Sequence, residues 1–380
     1  MPRLPGHGFF CPCSCITVAM GPATHYLDID APFLMYRGGE LPRLRVAWES
    51  WGELSTARDN AILIFTGLSP GAHAASSAAD PTPGWWEEMI GPGKPIDTDR
   101  FFVLCTNSLG SCKGTTGPAD IHPATGLPWR LNFPELAIED IARATRLVVE
   151  HLNISQFHAV IGPSMGGFTA LAWLKQYPGS TKRLGLISTA CSATPFAISI
   201  RSLQREAIVT DRNFHNGAYT DDEWPEVGMR LARKLGMITY RSAGEWQGRF
   251  GRKRQDYFPS TLFGMRFEVE SYLESHARKF VGQFDPCSYL YLSRAMDLFD
   301  ACDSDESLKN LFRRCFTGHG LVIGVESDIL FPLHQQRELA GALEASGSEV
   351  TFEALPSAQG HDAFLVDFER FGSPIANWLS

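Results

Sequence analysis

One hexapeptide narrows the folds open to this chain more than any other: Gly162-Pro163-Ser164-Met165-Gly166-Gly167. An apolar run, Phe157 to Ile161, leads into Gly-x-Ser-x-Gly, and apolar residues at helical spacing follow at Phe168, Leu171, Ala172 and Leu174. The reading is strand, sharp turn, helix. Such a turn holds the serine in a strained backbone conformation, and Gly162 and Gly166 leave room where side chains would collide. It lifts the Ser164 hydroxyl above a sheet and aims the Met165 N–H at the oxygen of any carbonyl that Ser164 attacks. The alternative is a tight turn with an idle serine, so the rest of the chain has to supply partners.

The order of elements supplies a setting. His25 to Ile29 and Leu44 to Ser50 read as opening strands, with Gly38-Gly39 in the turn between them. Ala61 to Phe65 and Phe101 to Cys105 are short continuous apolar runs, as expected of buried parallel strands. Ala72 to Asp99 reads as a loop with a short helix, and Asn107 to Phe133 as a long functional loop. Lys113-Gly114-Thr115 lacks the glycine that a phosphate-binding loop places five residues before Gly114, where Leu109 stands. Pro134 to Leu152 has the spacing of a crossover helix, and Arg183 to Ser188 is the next strand. This alternation specifies a mostly parallel sheet with right-handed crossovers and helices on both faces.

The rhythm stops over residues 195–316, where helical periodicity dominates in Ile198 to Ile208, Pro225 to Leu235 and Phe267 to Phe280. This segment reads as a helical lid inserted into a core formed by residues 23–194 and 317–380. Arg249 to Arg254, locally basic, reads as a solvated loop. The sheet pattern resumes at Gly320 to Val325 and ends at Glu326-Ser327-Asp328. Leu333 to Glu344 is a helix and Glu349 to Ala354 the last strand. A loop carrying Gln359-Gly360-His361-Asp362 follows, then a closing helix, Phe364 to Leu379.

Ser164, Asp328 and His361 therefore each fall just past the C-terminal end of a parallel strand, the edge where open parallel sheets form sites. Serine is a weak nucleophile until a base takes its proton; His361 can act as that base near neutral pH. Asp328 would fix the imidazole tautomer and stabilise the imidazolium. The chain order Ser, Asp, His is that of α/β-hydrolase triads. The second oxyanion donor, beside the Met165 N–H, is the backbone of Leu68 in the loop Thr66-Gly67-Leu68-Ser69-Pro70.

From about Leu44 onward the chain resembles the homoserine/serine O-acyltransferases of the α/β-hydrolase fold. The resemblance rests on DNAILIFTGLS, NSLGSCKGTTGPAD, GPSMGG, LARKLGMITYRS, VESDILFP and QGHDAFLVD, in that order. It implies Ser164 as nucleophile with Asp328 and His361, Arg233 gripping the acceptor's carboxylate, and Asp362 contacting its amino group. Acetyl-transferring homoserine enzymes of the family carry Ala-Leu-Thr-Gly where this chain has Gly67-Leu68-Ser69-Pro70, a loop similar to that of the serine-succinylating branch. Arg201 fits a donor ending in a carboxylate. Arginine's planar fork suits carboxylates, although periodicity does not separate Arg201 and Arg233 from Arg205, Arg230 or Arg241. The implied activity is acyl-CoA-dependent acylation of L-serine, with succinyl-CoA as co-substrate and no permanently bound cofactor, feeding cysteine biosynthesis. Homoserine acylation with acetyl- or succinyl-CoA, of the kind methionine biosynthesis uses, is the first alternative. A water-using esterase or thioesterase is the second, and a non-catalytic interaction protein the third.

Composition limits the partners. The formal net charge of −8 over 380 residues gives no electrostatic case for nucleic acid or an anionic membrane, and no apolar run reaches the length of a membrane span. Nine cysteines, odd in number and mostly scattered, argue against a disulfide framework and for a reducing cytosol. Cys11, Cys13 and Cys15 have no partnering pair at zinc spacing, so no metal is expected. Residues 1–22 read as a disordered extension, with Met20 a second candidate start. The aromatic and apolar content of the insertion, with the resemblance, implies a homodimer.

Overall fold

The computed structural model describes residues 22–256, 261–302 and 306–380; apart from Pro22, the N-terminal extension with its three cysteines lies outside them. Eight strands form one sheet: β1 (His25–Ile29), β2 (Leu44–Trp51), β3 (Ala61–Phe65), β4 (Phe102–Thr106), β5 (Ala159–Pro163), β6 (Arg183–Ile187), β7 (His319–Val325) and β8 (Glu349–Leu355). Their spatial order is β1-β2-β4-β3-β5-β6-β7-β8. The pairs β1–β2 and β2–β4 are antiparallel, and every later pair is parallel. β3, β4 and β5 are buried at every residue, which is why they read as unbroken apolar runs rather than alternating ones.

The side chains of β3 still sort by parity. Leu63 and Phe65 enter the core on one face with Phe168 and Trp173, while Ile62 and Ile64 enter that on the other with Phe371, Ile375 and Trp378. The helices covering these faces are α1 (Ile138–His151), α2 (Met165–Gln176), α9 (Leu333–Ser346) and α11 (Phe368–Leu379). Met165 to Leu174 is buried throughout because α2 lies between the sheet and α1.

Between β6 and β7 the chain forms α3 (Pro195–Val209), α4 (Glu226–Tyr240), α5 (Ala243–Phe250), α6 (Glu268–Phe280), α7 (Pro286–Leu298) and α8 (Leu308–Cys315). Two of them start at a side-chain cap followed by proline. Thr194 accepts from Ala197 N–H at 3.1 Å with Pro195 following, and Asp285 accepts from Ser288 N–H at 2.8 Å with Pro286 following. Glu274 on α6 receives Arg230 and Lys234 of α4, and Arg278 at 2.7 Å, tying the two helices together.

Three expectations fail locally. Gly38 and Gly39 close a hairpin of their own, Phe33–Leu34 against Glu40–Leu41, inserted between β1 and β2. The short helix expected within residues 72–99 is absent. The Glu87 carboxylate there accepts from Ser76 N–H (2.7 Å), Ser76 Oγ (2.8 Å) and Gly84 N–H (3.1 Å), so turns gather around a charge instead of forming a helical ladder. The closing helix is broken: α10 (Ala363–Val366) stops, and Asp367 (φ −108°, ψ 52°) precedes α11. The Phe364 carbonyl accepts from Trp86 Nε1 at 2.9 Å, a tertiary partner in place of a helical one.

Candidate active site

Ser164 sits between β5 and α2 with φ 54° and ψ −124°, a conformation that costs a non-glycine residue about 1–3 kcal/mol. Its surroundings hold it there. A Cβ on Gly162 would lie 2.2 Å from the Gly166 carbonyl oxygen, and one on Gly166 would lie 2.4 Å from that of Phe65. Ser164 N–H donates to the Ile187 carbonyl at 2.9 Å, and the Ser164 carbonyl accepts from Thr189 Oγ1 at 2.8 Å.

The two partners come from the other end of the chain. Ser164 Oγ lies 2.8 Å from His361 Nε2, and His361 Nδ1 lies 2.8 Å from Asp328 Oδ2. The second Asp328 oxygen accepts from the N–H groups of Leu330 (2.8 Å) and Phe331 (2.9 Å) in the turn after β7. The His361 ring stacks on Phe331 at 5.0 Å and meets the edge of Phe364 at 5.7 Å. All three polar side chains are buried, so their hydrogen bonds act in a low-dielectric setting. In this chain of bonds the imidazole Nε2 is placed to take the serine proton while the carboxylate holds the ring and balances its charge.

Ser164 and His361 open onto a cavity of about 180 Å³, walled by Gly67, Leu68, Ser69 and Pro70 on one side and by α3, α4 and α7 on the other. Met165 opens α2, so its N–H is among the helix-start donors left without an intrahelical partner. Leu68, the other residue expected to supply a backbone donor, is in the cavity wall. Arg201, Arg233 and Asp362 also line it. Among the described residues no cluster of metal-ligating side chains occurs, and the six described cysteines are free thiols.

From residue 60 to residue 368 the sequence matches the α/β hydrolase fold family. It is 55% identical to the serine O-succinyltransferase of Frateuria aurantia over 364 residues, covering 95% of this chain and 99% of that one. The serine O-succinyltransferase of Stenotrophomonas maltophilia (strain K279a) is 54% identical, with 96% and 99% covered. This chain belongs to the serine/homoserine O-acyltransferase family of the α/β-hydrolase fold. Among solved structures, the homoserine O-acetyltransferase from Bacillus anthracis superposes with a TM-score of 0.87 at 26% identity, over 94% of this chain and 97% of that one. Esterase E22 superposes with a TM-score of 0.86 at 28% identity, over 94% and 99%.

The acyltransferase cavity has two cationic walls. Arg201, only 4% exposed, donates through Nε to Asp297 Oδ1 at 2.5 Å, and Arg205 Nη2 lies 2.6 Å from Asp297 Oδ2. Two arginines share one carboxylate, and the buried Nη2 of Arg201 has no protein partner. Arg233 lies over the Phe280 ring at 4.8 Å and also carries a buried unpartnered nitrogen, Nε. Burial pushes the Asp362 carboxyl up, while Arg241, His361 and Arg233 pull it back. Asp297, Tyr240 and Tyr289 escape sequence reading. Tyr240 and Tyr289 line the cavity, and burial raises both phenols, keeping them protonated as donors. Only the helical phase of Asp297 against Arg201, across α3 and α7, would have pointed to it, and that phase is set by tertiary packing.

Proposed function

We propose that this chain transfers a succinyl group from succinyl-CoA to the hydroxyl of L-serine. The near-full-length likeness to serine O-succinyltransferases supports the pairing of donor and acceptor. The observation that carries the donor assignment is Arg201, a residue of the Ser164 cavity wall whose buried Nη2 has no protein partner. A buried cation with an unused donor calls for an anion, and a succinyl carboxylate leaving water needs such a partner. An acetyl group offers none.

Ser164 Oγ attacks the thioester carbonyl as His361 Nε2 takes its proton, and the oxyanion receives the Leu68 and Met165 N–H groups. The tetrahedral intermediate collapses, His361 returns the proton to the departing thiolate, and coenzyme A leaves. The amino acid then binds with its carboxylate on Arg233 and its ammonium on Asp362. His361 takes the proton of its hydroxyl, which attacks the succinyl-enzyme; the second collapse frees the ester and reprotonates Ser164. The helical insertion acts as a lid over this cavity. Phe196 and Leu203 of α3, with Val227, Leu231 and Ile238 of α4, leave an exposed apolar face suited to a second copy of the chain. No described helix is long and apolar enough to cross a membrane. The scattered free thiols favour the cytosol.

A kinetic matrix of acetyl- and succinyl-CoA against serine, homoserine and no acceptor tests this reading. Succinyl-CoA with serine gives the highest kcat/KM, and Arg201→Leu depresses succinyl transfer far more than acetyl transfer. Preference for acetyl-CoA and homoserine overturns it. The likeness to esterase E22 favours hydrolysis as the second reading; acyl-CoA turnover equally fast without an amino acid would establish that one.

A further inference from the structure

A second arginine stands behind the acceptor end of the cavity. Arg241 follows α4 directly and is not among the residues lining the cavity. Its Nε donates to Asp362 Oδ2 at 3.1 Å and its Nη1 to Gln359 Oε1 at 2.6 Å, while Glu245 Oε1 of α5 lies 3.8 Å away. The corner carrying Arg241 is keyed to the His361 loop by backbone. Ser242 Oγ donates to the Ala358 carbonyl, and Gly360 (φ 65°) lets the loop approach so closely that a Cβ there would lie 2.7 Å from the Tyr240 carbonyl oxygen. Arg241 thus grips both sides of the histidine loop, at Gln359 and at Asp362.

Asp362 is 24% exposed, and it lines the cavity, whose walls are protein. A substrate entering the cavity removes water from it and favours the neutral acid. The charged and titratable groups facing Asp362 are Arg241, Arg233 and Tyr240 from α4 and its end, Glu245 across Arg241, and His361 on its own loop. An incoming amino acid occupies Arg233 with its carboxylate, and His361 is neutral whenever it serves as base. Of the protein cations beside Asp362, Arg241 is the one left to oppose the desolvation until the ammonium group reaches the carboxylate.

We propose that Arg241 is a positioning residue that keeps the Asp362 carboxylate ionised and aimed at the ammonium group of the incoming amino acid, so that acyl transfer to the acceptor depends on it and acylation of Ser164 does not. This rests on the reading of Asp362 as the ammonium ligand.

The test measures two half-reactions between pH 5.5 and 9: coenzyme A release from succinyl-CoA alone, and kcat/KM for serine. The pH profile of the release step serves as the internal reference. In Arg241→Gln the release step changes less than about threefold, while the acid limb for serine moves up by about 1–3 pH units, the effect of removing a neighbouring arginine from an aspartate. Activity with serine falls most at the acid end of the range and recovers at high pH. Arg241→Lys, which keeps the charge, holds most of the limb in place. Arg241→Met, uncharged and of similar length, moves the limb as Arg241→Gln does, which keeps the test open if glutamine at 241 prevents folding. In an Asp362→Asn background, Arg241→Gln has no further effect on serine. Parallel losses in both half-reactions, or an unmoved limb, overturn the proposal. An unchanged serine KM in Asp362→Asn would instead remove the clamp itself, whereas a damaging Asp362→Asn beside a silent Arg241→Gln would overturn only the role of Arg241.

Discussion

Asp328→Asn separates the orientation of His361 from the integrity of the fold. Oδ1 accepts the N–H groups of Leu330 and Phe331 at 2.8 and 2.9 Å, so the amide oxygen of asparagine is held at that position. Its NH2 then faces His361 Nδ1, which has to accept, and the ring proton moves to Nε2. That nitrogen lies 2.8 Å from Ser164 Oγ and can no longer take the hydroxyl proton. The imidazolium also loses its counter-charge where Asp328 is 3% and His361 4% exposed. A wrong tautomer of this kind costs about 10⁴ in kcat, roughly 5 kcal/mol of transition-state stabilisation. The fold keeps both backbone bonds, so global stability changes by about 1 kcal/mol or less. Asp328→Ala, by contrast, leaves two buried donors unpaired at about 1–3 kcal/mol each. Stopped-flow detection of coenzyme A released from succinyl-CoA measures the first effect, and urea denaturation the second. A loss of less than about tenfold in Asp328→Asn, with the fold intact, would refute the role given to this carboxylate.

Other outcomes follow from the same contacts. Ser164→Ala abolishes the acyl adduct that mass spectrometry detects after acyl-CoA alone, and an adduct persisting in the variant would sink the nucleophile. Gly162→Ala drives a methyl group into the Gly166 carbonyl, so the variant accumulates as insoluble protein or melts far below the parent in a thermal scan. Glu274, which burial alone would raise, is drawn down to about 2 by Arg230, Lys234 and Arg278. Its folded value lies below its unfolded one, so its contribution is complete above about pH 5 and is lost as pH falls toward 2. Solvent screening keeps it near about 1 kcal/mol, and the denaturation difference between parent and Glu274→Gln should shrink over that window. Under the proposed homodimer, the parent sediments as a dimer at micromolar concentration and Leu231→Asp, on the exposed face of α4, as a monomer; a parent that sediments as a monomer would contradict the assembly.

The sequence by itself determined the elements whose signal is local. Gly162 and Gly166 are dictated by a turn only they can make. Unbroken apolar runs marked β3, β4 and β5 because both sheet faces are covered. The order of Ser164, Asp328 and His361 could be read because each sits at the end of such a run, and a parallel sheet brings those ends to one edge. Tertiary structure alone decided what depends on pairs distant in the chain. The sharing of Asp297 by Arg201 and Arg205, the seating of Arg241 against Asp362, and the bond of Trp86 to the Phe364 carbonyl beside the break at Asp367 leave no periodic trace. Arg201, Arg233 and Arg241 look alike in the sequence, and they differ in what the packed helices bring within reach: Asp297 for Arg201, the Phe280 ring for Arg233, Asp362 and Gln359 for Arg241. Burial then decides the chemistry, because a guanidinium nitrogen without a partner matters only where water cannot serve as one.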